Sequence, residues 1–112
     1  MRVISVSKDF SPTPGGRLKV MGPDSGEQFR GRILSELKKS PPDTVKIIFD
    51  GAFGYGSSFL EEAFGGLIRS TKVSLSEARL RLILEANSKK NQTYVKEAWQ
   101  YMEDAGTKIN VR

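Results

Sequence analysis

Apolar and polar positions alternate most clearly between Val45 and Arg69, VKIIFDGAFGYGSSFLEEAFGGLIR. Val45, Ile47 and Phe49 interleave with Lys46, Ile48 and Asp50, and this β-branched and aromatic content predicts a strand nearly buried on both faces. Gly51, Gly54 and Gly56 then break the strand and carry the chain through Phe53 and Tyr55 to a helix start at Ser57 and Ser58. Ser58 has Glu61 three positions on, the spacing of a capping box, so it is the expected N-cap. From there Leu60, Ala63, Phe64, Leu67 and Ile68 fall on one helical face.

The flanking segments extend this pattern. Arg2 to Ser7 predicts a short strand, Asp9 to Gly16 is turn material with two prolines and two glycines, and Arg17 to Met21 resumes as a strand with Leu18 and Val20 on one face. Ser25, with Gln28 three positions on, repeats the capping-box spacing before a helix whose apolar face is Phe29, Ile33, Leu34 and Leu37. Ser40-Pro41-Pro42-Asp43 ends it. A polar connection from Ser70 to Ala78 leads into Arg79 to Ala86, where a period of two favours a strand although the residues are good helix formers. Val95, Ala98, Trp99 and Met102 mark a last helix, with Gly106 placed just past its end and Lys108 to Val111 left for a terminal strand. The order β-β-α-β-α-β-α predicts a single α/β domain over residues 1–112, a mixed sheet covered by about three helices. Crossover connections make the strands at Val45 and Arg79 parallel.

Composition narrows the chemistry. A chain of 112 residues buries roughly two-thirds of its unfolded surface and folds without staples. It has no Cys and no His, which excludes the usual zinc sites, cysteine nucleophiles and imidazole bases, so no metal, no cofactor and no enzymatic activity are expected. No apolar run reaches membrane-spanning length and the N-terminus lacks a signal-peptide pattern; a cytoplasmic protein is expected. The formal charge of +5 permits an acidic partner or nucleic acid, but Lys38-Lys39, Arg79 with Arg81, and Lys89-Lys90 are scattered short clusters that read as solvated faces, which weighs against nucleic acid.

Two candidate sites follow, each with a plainer alternative. Ser57 and Ser58 can be phospho-acceptors on an exposed turn, where a phosphate meets unpaired amides but also Glu61 and Glu62; alternatively Ser58 only caps and Ser57 only shapes the turn. Phe53, Tyr55, Gly56, Phe59 and Glu62 around them form a candidate partner-binding surface, unless the aromatics fold back over the sheet edge. Ser25 and Gly26 can hold a small anion or a nucleotide phosphate at the other helix start, against the ordinary reading as a helix entry, since neither a Walker lysine nor a G-x-G-x-x-G is present. Glu61, Glu62 and Asp50 are the carboxylates nearest the turn, without a second pair at a recognisable spacing. Tyr94, Trp99 and Tyr101 could stack on a base, but Trp99 belongs to the apolar stripe.

The string Gly56 to Gly65, with Asp9-Phe10-Ser11 and Gly22-Pro23-Asp24-Ser25-Gly26-Glu27 upstream, resembles the STAS-like domain family of unknown function over about residues 3–86. That family is similar in turn to the STAS domains of anti-sigma-factor antagonists, in which a strand runs into an Asp-Ser-Ser-Gly-Leu-Gly turn whose second serine is phosphorylated by a histidine-kinase-like ATPase. Ser57, Ser58 and Leu60 match that motif; Gly56, Phe59 and Glu61 stand where it has Asp, Gly and Gly. The resemblance implies a STAS-like interaction domain with Ser58 as acceptor, a protein partner, and phosphorylation controlling the docking. It leaves the oligomeric state open.

Overall fold

The computed structural model describes residues 1–39 and 41–111, the last three of these as backbone. Three short strands, β1 (Arg2–Ser5), β2 (Val45–Ile48) and β3 (Leu82–Glu85), lie side by side in the order β1-β2-β3, and both pairings are parallel. Arg2, Val45 and Leu82 share one register row, and Ile4, Ile47 and Leu84 share the row two residues on. These rows face the helices, with Ile4, Val45 and Ile47 fully buried. The intervening rows make the opposite face, where Val3 is 51% and Ile83 39% exposed and Lys46 Nζ lies 3.3 Å from Glu85. The α/β class expected from the pattern is the one observed, but the sheet is parallel throughout among the described residues, not mixed.

The two missing strands have local causes. Leu18 leads into a 3₁₀ turn at Lys19–Met21, closed by Gly22 N donating to Lys19 O and tethered by Lys19 N donating to Glu27 Oε1 at 2.9 Å. Residues 108–111 continue the last helix, which also contains Gly106. There a Cβ would come within 2.9 Å of Leu75 Cδ2, so the glycine marks a close helix contact and not a helix end. The first strand stops at Ser5, where a π-type turn, Val6–Phe10, brings Phe10 onto Phe29 with ring centroids 4.9 Å apart. The alternating segment from Arg79 divides, as α3 (Leu75–Arg81) runs through Arg81 before β3 begins.

Helix α1 (Gly26–Lys39) starts at Ser25, whose Oγ accepts from Gln28 N at 3.1 Å as the spacing predicts. Gln28 reciprocates one residue early, its Oε1 accepting from Asp24 N. Helix α2 is a continuous rod of three segments, Ser57–Leu60, a π-type turn Glu61–Gly65, and Gly66–Ser70. Ser74 caps α3, accepting from Glu77 N at 3.0 Å, and Ser88 caps α4 (Lys89–Val111), accepting from Asn91 N at 3.1 Å.

Rod α2 lies between α1 and α4, with Phe59, Leu60, Ala63, Phe64, Leu67 and Ile68 all buried. Its approach to α1 depends on Gly26, where a Cβ would meet Phe59 O at 2.5 Å. On the flank of α1, Glu36 accepts from Arg2 Nε at 2.9 Å and from Lys39 Nζ at 2.8 Å, which ties β1 to the helix. No helix among the described residues is long and apolar enough to cross a membrane.

Two outcomes follow from these contacts. Gly26→Ala must push α1 away from a backbone carbonyl that cannot rotate aside, and it is expected to cost about 1–3 kcal/mol in chemical denaturation. The bonds from Lys39 and then Arg2 hold the Glu36 carboxyl down to about 2 from an ordinary 4.5, so its contribution is complete above pH 4.5 and is lost as pH falls towards 2. Glu36→Gln is expected to flatten the stability profile in that window, read by denaturant titrations at successive pH values.

Candidate functional site

The chain leaves the carboxyl end of β2 through a loop whose shape is set by glycine. Gly51 has a φ of +97°, and a Cβ there would lie 2.4 Å from Ser7 Oγ, which itself donates to Asp50 O at 3.3 Å. Phe53 N donates to Pro12 O at 2.9 Å, holding the loop against the 12–16 turn while the Phe53 ring stays 79% exposed. Asp50 turns the other way. Its carboxylate accepts from the Asn87 and Ser88 amides and from Asn91 Nδ2, pinning the start of α4. Burial pushes its pKa upward, but the bonds from Asn87, Asn91 and Ser88 outweigh that and leave it below the ordinary value.

At the start of α2 the N-cap is Gly56, with φ −69° and ψ 151°, and its carbonyl accepts from Leu60 N at 3.1 Å. Ser58 is therefore not the cap. Helical geometry begins at Ser57, two residues before a cap at Ser58 would start it, and Glu61, the expected partner in the capping box, is held by arginines instead. Both serines sit exposed in the first turn, and no side chain caps the helix end.

The surrounding candidates separate into surface and interior. Phe53 and Gly56 are exposed beside the serines, whereas Tyr55 and Phe59 are buried and so removed from any contact surface. Tyr55 donates its hydroxyl to Phe49 O at 2.7 Å; burial first, then Asp50 and Tyr94, raise its phenol pKa. Phe59 packs against Phe29, Phe10 and Tyr55 in an aromatic layer beneath the helix start. Tyr94 stacks edge-on against Tyr55, and Trp99 and Tyr101 lie partly buried against the core.

Glu62 points into an ion-pair cluster rather than to a partner. Arg17 Nη1 lies 2.5 Å from Glu61 and 3.1 Å from Glu62, Arg30 pairs with Glu62, and Arg69 Nη1 lies 2.6 Å from Glu61. The arginines come from three places in the chain: the loop before α1, α1 itself and the end of α2. Gly65 and Gly66 make the room, since a Cβ would lie 2.6 Å from Glu61 Oε2 in one case and 2.7 Å from Arg30 Nη1 in the other. Hydrogen bonds from Arg69 and Arg17 hold the Glu61 carboxyl below its ordinary value despite partial burial, and both arginines are raised in return. The two glutamates thus lie one turn beyond Ser58 with their charge matched by guanidinium groups.

The alternative anion site at α1 is closed. Ser25 is fully buried, Gly26 N donates to Gly16 O at 2.8 Å, Glu27 N to Arg17 O at 3.0 Å, and Gln28 N to Ser25 Oγ. The first-turn amides that would bind a phosphate are already used.

Sequence reasoning missed an apolar knuckle next to Arg17, where Val20 is 88% and Met21 60% exposed and Leu18 is also open. Its signal was present in the strand-like alternation of 17–21, which finds no sheet to join. The caps separate cleanly by experiment: Ser25→Ala and Ser74→Ala are expected to lower unfolding free energy by about 1 kcal/mol each, whereas Ser58→Ala is expected to change it by less than ~0.5 kcal/mol. Urea unfolding of the three variants makes the comparison.

No curated protein and no solved structure matches the chain. The model of the STAS-like domain of unknown function matches residues 25–92, from the cap of α1 through β2, α2 and β3 into the first turn of α4, leaving Arg17 of the ion-pair cluster before its start. That span holds the serine turn, α1, α2, α3 and two of the three strands, and the chain belongs to the STAS-like domain family of unknown function.

Proposed function

We propose that the chain is a non-catalytic regulatory domain that docks a protein partner at the start of α2, and that phosphorylation of Ser58, or of Ser57, weakens the docking. The observation that carries this reading is the pair of exposed serine hydroxyls in an uncapped first turn, flanked by the exposed Phe53 ring. A phosphate there meets first-turn amides and the positive end of the helix dipole. Repulsion from Glu61 and Glu62 is reduced because Arg17, Arg30 and Arg69 neutralise them. An aromatic anchor beside a polar turn is the composition of an interface hot spot, and the knuckle at Leu18, Val20 and Met21 extends the apolar area beyond Arg17.

The resemblance to anti-sigma-factor antagonists supports a histidine-kinase-like ATPase as the partner, acting in the cytoplasm where its ATP is found. Gly56 in place of the motif's aspartate removes one negative charge from the acceptor's neighbourhood. Incubation with such an ATPase and ATP is expected to add the mass of one phosphate to the intact chain, and Ser57→Ala with Ser58→Ala to abolish it. No added phosphate, or phosphate retained in the double variant, rules out the switch. Phe53→Ala is expected to weaken docking by about 1–3 kcal/mol by calorimetry, and unchanged affinity would exclude this surface.

A further inference from the structure

At the end of the domain away from the serine turn, α1, the end of α2 and α3 enclose a groove of about 580 Å³. Leu34 and Leu37 of α1, Pro41 and Val73 form its apolar walls. The volume lies within the range of small-molecule sites, about 300–1,000 Å³.

The rim is cationic. Lys38, Lys72 and Arg81 face Glu77 alone. Arg81 is committed, donating to Leu37 O at 2.7 Å, Asp43 O at 3.0 Å and Glu77 Oε2 at 3.0 Å. Glu77 is therefore matched by Arg81, and Lys38 and Lys72 enter no ion pair among the described residues. Helix carbonyls at this end would ordinarily offset some of that positive charge. Here the Leu37 carbonyl accepts from Arg81 and the Leu67 carbonyl from Thr71 Oγ1, and the two lysines line the apolar hollow without a carboxylate partner among the described residues.

We propose that this groove binds a small apolar molecule carrying one anionic group, its tail against Leu34, Leu37 and Val73 and its head between Lys38 and Lys72. Tail and head contribute differently. Burial of the tail supplies the affinity, and the lysines select the sign of the head. The site lies on the opposite pole from Ser58, and the proposal does not depend on the serine switch.

The test is a titration of the isotope-labelled chain, followed by amide chemical shifts, with decanoate and decyltrimethylammonium below their micellar concentrations and decanol below its solubility limit. Decanoate is expected to shift the amides of Leu34, Leu37, Lys72 and Val73, and to bind about five-fold tighter than decanol. Lys38→Glu with Lys72→Glu, both exposed positions, is expected to reverse the preference towards decyltrimethylammonium without altering the unperturbed spectrum elsewhere. Equal binding of the three probes, shifts centred away from the groove, no shifts at the highest monomeric concentration, or a double variant that still prefers decanoate would each overturn the proposal.

Discussion

The fold depends on how closely α1 and α2 approach each other. Gly26 has no side chain, and the Phe59 carbonyl occupies the space that one would fill. The short distance lets Phe29 stack on Phe59, lets Arg30 reach Glu62 across the helix pair, and closes the first turn of α1 with carbonyls from the preceding loop. A packed interior transmits such a constraint, since displaced atoms have no void to move into. The exposed serine turn at the head of α2 is therefore presented by a rigid rod held on both sides.

The same contacts explain how this chain departs from the serine motif it resembles. Phe59 stands where the motif has glycine because the space beneath the turn is filled by an aromatic layer. Glu61 stands at the second glycine because two arginines converge there. Phe59 turns from the exposed serines into the core, whereas Glu61 lies one turn beyond them with its charge held by Arg17 and Arg69.

Much of this was legible in the sequence. Val45, Ile47 and Phe49 gave the central strand, the apolar stripe gave α2, and the Ser25 to Gln28 spacing gave the start of α1, because each rests on local periodicity or a local hydrogen bond. The errors arose where distant partners decide. Alternation at 17–21 looks like a strand, but a strand needs a neighbour, and among the described residues β1 is paired with β2 alone. The capping box at Ser58 failed because Glu61 found stronger charge-assisted bonds to arginines far apart in sequence. For Tyr55 and Phe59 the sequence left a contact surface and a fold-back over the sheet edge both open, because the aromatic layer that buries Phe59 draws Phe10 and Phe29 from another part of the chain.

The parallel sheet has one further consequence, and it concerns time rather than structure. Arg2 pairs with Val45 and Val45 pairs with Leu82, so every rung joins residues separated by a whole crossover, and no hairpin is available to seed the sheet. Loop-closure entropy for each rung is incurred before any rung rewards it. The strands are four residues long and contribute few rungs in return. Sheet pairing is thus tied to the packing of the crossover helices, since each pair of strands is joined only through the residues that form them.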